Sequence, residues 1–156
     1  MKPIPHIFWI VAVCTAVTGN PVFARAEGAA SELAAKELQA LQGTWEEVVA
    51  SEKSGERITV TINGDNLRFH RDTNFWFQTT ITLPAGAAPK QLHATIKDCP
   101  PSQASSIGEV VVAIYQIKDG KLTIAPLGEG EKTPTSFEAL GVDRQRFELR
   151  KAQPRK

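Results

Sequence analysis

The sequence predicts an all-β domain: an antiparallel closed β-barrel of about eight strands preceded by one short helix. Apolar and polar residues alternate along most of the chain, as at Ile58, Val60 and Ile62, and a period of two is typical of a strand with one buried face. The pairs Asn63-Gly64 and Asp119-Gly120 separate such runs and favour tight hairpin turns. Short turns between strands indicate an antiparallel barrel or sandwich, and closure removes exposed edges.

One helix is predicted over residues 28–42, ahead of the first strand. Ser31 suits its N-cap, and Ala, Leu, Lys and Glu fill its turns. Gly43 is well placed to end it, because glycine readily takes a left-handed conformation just past a helix. Three leucines lie roughly on one side of this helix: Leu33, Leu38 and Leu41.

The first strand follows the opening residues Gly43-Thr44-Trp45, and the others follow at regular intervals. The predicted strands cover residues 46–50, 58–63, 67–70, 75–83, 92–97, 109–118, 122–124 and 146–150, with a further short strand at 135–140. Loops are expected at 83–90 and 98–108, which are rich in proline, glycine and polar residues.

The N-terminal residues follow the plan of a secretory signal peptide. Lys2 precedes an apolar run at 7–17, and Ala24-Arg25-Ala26 fits a small-residue cleavage site. An uncleaved anchor is the alternative, but the run is shorter than the roughly 20 residues that span a bilayer. We therefore expect a signal peptide at 1–26, a helix at 27–42 and the barrel domain at 43–152. The mature protein would be exported, to the periplasm or the extracellular space, with no membrane span.

Charge and cysteine content exclude several classes of partner and bond. The chain has 18 basic and 17 acidic residues, and cleavage near Ala26 would remove Lys2 and Arg25, which leaves a net charge of −1. Such a chain is too close to neutral to indicate a nucleic-acid partner. Cys14 would leave with the leader, so Cys99 would be either a buried small residue or an intermolecular link. We expect a monomer.

Alternation also predicts which side chains face the barrel interior. Trp45 either forms the floor of a ligand cavity or plugs the base of the barrel against the helix, and packing is the commoner role of a buried aromatic residue. An inward Glu47 is unusual because an unpaired buried carboxylate is costly. Either it lies near an open mouth, a bulge shifts it, or it contacts a polar group of a ligand, and the third explanation makes it a candidate ligand contact. The candidate ligand-binding residues are Trp45, Glu47, Val49, Ile58, Val60, Phe75, Phe77, Leu92, Ile96, Leu122 and Ile124.

The motif Gly43-x-Trp45, after a short helix, resembles the opening of lipocalins. The wider pattern resembles a group of small lipocalin-like domains of unknown function that are common in planctomycete bacteria. Its elements are the residues 37–45, Pro89-Lys90, Ile114-Tyr115 before the second hairpin, 134–137, and the close at 147–150. The resemblance implies a lipocalin-like barrel and transfers no catalytic residue. Such barrels often stack a terminal arginine on the tryptophan, which would make Arg150 the partner of Trp45, although alternation puts Arg150 on the face opposite Phe147 and Leu149.

These observations lead to two hypotheses about function. The first is an exported, lipocalin-like barrel that binds a small, mostly apolar ligand in its interior. The alternative is a non-catalytic interaction module with a solid, packed barrel, which would bind a protein partner through the outward Trp76 or the loop at 98–108. Large inward residues, Phe69, Phe75, Phe77 and Phe147, favour this alternative because they could fill a small barrel.

An enzyme, a cofactor and a metal site are not expected. Ser105-Ser106 and Cys99 lie in a polar loop with no nucleophile elbow before them. His70 and His93 are predicted to face outward on different strands, whereas zinc requires three or four converging ligands.

Overall fold

The computed structural model describes residues 21–48, 57–128, 130–140 and 145–153. Within these ranges the chain forms a closed eight-stranded barrel in which each strand pairs antiparallel with the next and β8 pairs with β1. The predicted fold class is confirmed. Most of the predicted leader and Val49 lie outside the described residues.

One helix, α1, spans Pro21–Leu41. The strands are β1 (Gly43–Glu47), β2 (Thr59–Asn63), β3 (Asn66–Asp72), β4 (Phe75–Thr82), β5 (Gln91–Asp98), β6 (Val110–Lys118), β7 (Lys121–Pro126) and β8 (Phe147–Lys151), with a 3₁₀ helix at Pro101–Ser106 between β5 and β6. Because the strands run up and down in order, α1 and the two tight hairpins meet at one end of the barrel, which we call the closed end. The opposite end is the mouth.

The predicted end of the helix is correct, whereas its predicted start is wrong. Gly43 has φ +112°, a conformation that costs glycine little, and it turns the chain from α1 into β1. Ser31, however, lies inside the helix instead of capping it, because helix-forming residues continue on its N-terminal side. Leu33 is 62% exposed, whereas Leu38 and Leu41 in the last turns of the helix pack against the barrel core.

The closed end is filled by large side chains. Trp45, Leu41 and Ile62 are almost fully buried there, and Leu38 packs against the same cluster. Gln42 fixes the helix end to the β2–β3 hairpin, since its amide donates to the Gly64 carbonyl and accepts from the Gly64 N–H. Trp45 and the last turn of α1 therefore close this end of the barrel.

A three-residue polar contact also connects α1 to the barrel. The Tyr115 hydroxyl donates to Glu37 Oε2 at 2.8 Å, and Lys90 Nζ lies 2.6 Å from Glu37 Oε1. Partial burial alone would raise the pKa of Glu37, but the hydrogen bonds from Lys90 and Tyr115 outweigh it and lower that pKa. Burial, followed by the bond to Glu37, raises the pKa of the Tyr115 hydroxyl.

The connection from β7 to β8 covers part of the outer surface. Ile114 and Ala125 point away from the interior, and Phe137 and Leu140 bury them. The short strand predicted at 135–140 is wrong: these residues form bends and a turn. Their apolar side chains are explained by this second, smaller cluster, which needs no ladder of backbone hydrogen bonds.

Candidate ligand cavity

The mouth half of the barrel contains a cavity of about 270 Å³. Among the described residues that line it, three are polar, namely Arg71, Thr79 and Gln145. The apolar lining residues are Ile58, Val60, Leu67, Phe69, Phe75, Phe77, Leu92, Ala94, Ile96, Val111, Ala113, Ile124, Pro126 and Phe147.

Small side chains on two neighbouring strands create this space. Ala94 on β5 and Ala113 on β6 both line the cavity, and β5 and β6 are paired, with Leu92 opposite Ala113 and Ala94 opposite Val111. A larger residue at either position would fill the interior at that height along the barrel axis, as Trp45 does at the closed end. Alanine at these two positions therefore leaves interior space that a larger side chain would occupy.

Four phenylalanines form one wall of the cavity in an unbroken series of edge-to-face contacts. Phe69 lies at the centre, with ring centroids 5.5 Å from Phe147 and 5.9 Å from Phe75. Phe75 in turn lies 5.2 Å from Phe77. All four are half-buried. These distances are within the range in which aromatic pairs attract, so the wall is held in place without closing the space beside it.

Arg71 is the one charged residue among the lining residues that the structure describes. The pairing of β3 with β4 changes register between His70 and Asp72, which leaves Arg71 as the extra residue of a bulge. Its Nε donates to Asp72 Oδ2 at 2.9 Å, and its guanidinium carbon lies 4.1 Å from the centre of the Phe75 ring. The bulge thus holds a cation at the cavity edge.

Thr79 is the most deeply placed polar lining residue, and it is 6% exposed. Its hydroxyl donates to the Leu67 carbonyl at 3.1 Å. A buried hydroxyl with a backbone partner carries no desolvation penalty, so the inner part of the cavity behaves as an apolar surface.

Seven of the eleven predicted site residues line the cavity together: Ile58, Val60, Phe75, Phe77, Leu92, Ile96 and Ile124. Leu122 is fully buried in the closed-end core. Glu47 is half-buried at the end of β1. Its Oε2 accepts a hydrogen bond from the Ile58 N–H at 3.3 Å. This backbone partner accounts for a carboxylate at an inward position, and Glu47 is outside the cavity lining.

Trp45 plugs the base of the barrel and does not line the cavity. Its indole Nε1 donates to the Leu41 carbonyl at 2.8 Å, which satisfies one of the free carbonyls at the end of α1. Lys151 Nζ lies 5.2 Å from the indole ring centre, opposite Trp45 in the β1–β8 register. The cation that meets the tryptophan is thus Lys151 and not Arg150.

Several lining residues were absent from the predicted site, and strand alternation could have supplied most of them. Leu67, Phe69, Ala94 and Phe147 have the inward parity of their strands. Val111 and Ala113 lie in a continuous apolar run, in which alternation gives no inner face. Arg71 has the parity of Leu67 and Phe69 but lies one residue beyond the predicted strand 67–70, and nothing in the local pattern indicates the bulge.

The remaining candidates lie outside the cavity. Trp76 is half-buried on the outer face, opposite His70 in the β3–β4 register. Cys99 is buried, and its thiol donates to the Gln103 carbonyl at 3.1 Å, which favours its interpretation as a small buried residue. His93 lies 3.3 Å from the Gln91 side chain. Across the described residues, no three His, Cys, Asp or Glu side chains come together as a metal site would need.

No helix in the described part of the chain has both the length and the hydropathy of a membrane span. Comparison of the chain with protein-family models, with curated proteins and with solved structures gave no match.

Proposed function

We propose that this protein binds a small, mostly apolar ligand inside its barrel. The observation that carries the proposal is the cavity of about 270 Å³ in the mouth half, with 14 apolar residues among its 17 lining residues. Natural binding sites for small molecules are concave and mainly apolar, with a few polar groups that fix orientation. The cavity matches this description in both shape and chemistry.

The cavity volume limits the size of the ligand. An engineered apolar cavity of about 150 Å³ binds benzene, which has six non-hydrogen atoms. By proportion, the cavity of about 270 Å³ holds about eleven such atoms. A ligand with a ten-carbon chain or a two-ring system fits this limit.

The alternative function, a solid barrel that acts only through its outer face, loses its main support. That hypothesis was favoured by the four phenylalanines at positions 69, 75, 77 and 147, which could fill the interior. They instead stand side by side as one wall and leave the space beside them open. Trp76 is half-buried and carries no separate proposal.

The proposal also includes an exported location and a non-catalytic role for the protein. The signal-peptide pattern at 1–26 supports export, and the lipocalin-like motif around Gly43 and Trp45 supports a carrier or sensor without catalytic activity. The contact of Lys151 with Trp45 supports the same likeness to lipocalins, because it pairs a terminal cation with the tryptophan of the opening motif.

Native mass spectrometry of protein purified from its own host tests this proposal. We expect a reproducible small-molecule adduct that is lost on denaturation. Ala94→Phe should abolish the adduct because the new ring occupies the cavity. Thr95→Phe is the matched control: it adds the same ring at the next position of β5, on the opposite face of the strand. A clean mass for the wild-type protein, together with no binding of 1-decanol in calorimetry, would refute the proposal.

A further inference from the structure

The charge on the described residues of the cavity lining is positive and lies at one edge. Arg71 is its single charged member within the described ranges, and Gln145 and Thr79 are the other polar members. The Thr79 hydroxyl is already engaged with the Leu67 carbonyl. A ligand held in this cavity therefore meets an apolar surface along its length and a cation at one edge.

The position of Arg71 depends on a specific backbone irregularity. Without the register shift between His70 and Asp72, strands β3 and β4 would continue as a regular ladder. The shift inserts Arg71 as an unpaired residue, and bulges commonly redirect a side chain in this way next to binding sites. Contact with the Phe75 ring at 4.1 Å then holds the guanidinium over the aromatic wall.

The guanidinium retains hydrogen-bonding capacity toward a ligand. An arginine has five N–H donors, and the hydrogen bond it makes within the described residues uses Nε, which donates to Asp72. Asp72 is itself oriented by the Asn74 N–H at 2.8 Å on its other oxygen. No described residue bonds to the terminal nitrogens of Arg71, and the side chain is 46% exposed. Two parallel N–H donors are suited to a carboxylate.

We propose that the ligand of this cavity is a monoanionic amphiphile, whose carboxylate binds the terminal nitrogens of Arg71 while its apolar chain of about nine to ten carbons fills the cavity. This inference rests on the proposed function and adds the chemical class of the ligand. Discrimination by Arg71 would favour the acid over the alcohol of equal length, because a charge-assisted bond is stronger than a neutral one.

Arg71 could also serve only to stabilise the β3–β4 turn, through Asp72 and Phe75. The two roles predict different results for a pair of ligands that differ only in charge. A purely structural role would change the affinities for decanoate and 1-decanol by the same factor. A ligand-binding role would change the affinity for decanoate alone.

Calorimetric titration of the full chain with decanoate and with 1-decanol, both below their micelle-forming concentrations, tests the inference. We expect the wild-type protein to bind decanoate about tenfold more tightly, and Arg71→Gln to remove this preference without weakening 1-decanol binding. Arg68→Gln, an exposed position on the same strand, is the matched control and should retain the preference.

The other outcomes separate this inference from the proposed function. Equal affinity of the wild-type protein for both ligands, or an equal loss of both in Arg71→Gln, would overturn the inference and leave the apolar binding site intact. Failure of the wild-type protein to bind either ligand would overturn the inference, and together with a clean native mass it would overturn the proposed function as well.

Discussion

The hydroxyl of Tyr115 on β6 donates a 2.8 Å hydrogen bond to the carboxylate of Glu37 on α1. Tyr115 is only 3% exposed and belongs to the interior cluster of the barrel, so this bond joins the core to the helix that covers the closed end. Lys90 completes the contact from the β4–β5 loop. The helix is thus held by a polar contact in addition to the burial of Leu41.

Tyr115→Phe should destabilise the protein by about 1 kcal/mol, because it removes one hydrogen bond to a charged, partly buried group. Urea unfolding measures this change. The control is Glu32→Gln, which removes an exposed ion pair with Lys36 on the same helix and should cost less than about 0.5 kcal/mol. Equal effects of the two substitutions would show that the Tyr115 bond does not hold α1.

Stability should decrease in acid partly through Glu37. Its pKa is lowered in the folded state, so its contribution is complete above the ordinary carboxyl pKa of about 4.3 and is lost as the pH falls through the lowered folded value. Unfolding free energies measured from neutral pH into this acidic range should fall more steeply for the wild-type protein than for Glu37→Gln. Parallel curves would contradict the assignment.

The tryptophan plug should contribute to stability without contributing to binding. Trp45→Phe removes the bond to the Leu41 carbonyl and part of the ring, and we expect a loss of about 2 kcal/mol. Lys151→Met keeps a long apolar chain but removes the cation over the ring, with an expected loss of about 0.5 to 1 kcal/mol. Thermal unfolding and 1-decanol titration of both variants provide the check. A large change in 1-decanol affinity with intact folding would place Trp45 in the site after all.

The sequence predicted the barrel well because strand periodicity and turn chemistry are local signals. Asn63-Gly64 and Asp119-Gly120 occur at the two tight hairpins, where Gly64, Asp119 and Gly120 all have positive φ. The helix start was missed because favourable residues continue upstream of Ser31. Apolar residues at 135–140 cover a neighbouring surface instead of forming a strand, and composition alone does not distinguish these two outcomes.

The site was predicted in part for a related reason. Inward parity identifies residues such as Ile58 and Leu92, but parity does not show how deep a side chain lies along the barrel axis. Trp45 and Leu122 therefore share the inward orientation yet occupy the closed end. Arg71 lies at a bulge between β3 and β4, and the place of Ala94 and Ala113 beside the cavity follows from the β5–β6 register, which the sequence pattern did not predict.

Substitution of Phe69 in the aromatic wall should destabilise the protein more than substitution of Phe77. Phe69 contacts two other rings, whereas Phe77 contacts one, and each such pair contributes about 0.5 to 1.5 kcal/mol. Phe69→Leu should therefore lower the free energy of unfolding by about 1 kcal/mol more than Phe77→Leu. Chemical denaturation of the two variants decides this order, and the reverse order would mean that the ring contacts do not stabilise the wall.

The measurement that tests the central claim most directly is the affinity of the protein for straight-chain alcohols of increasing length. Each buried methylene is worth about 0.8 kcal/mol, so affinity should rise about fourfold per carbon. The rise should stop near ten carbons, because the cavity of about 270 Å³ is then full. Ala94→Phe should end the rise at a shorter chain, and Thr95→Phe should leave it unchanged. An affinity that shows no rise with length, or that rises unchanged well beyond ten carbons, would contradict binding in this cavity.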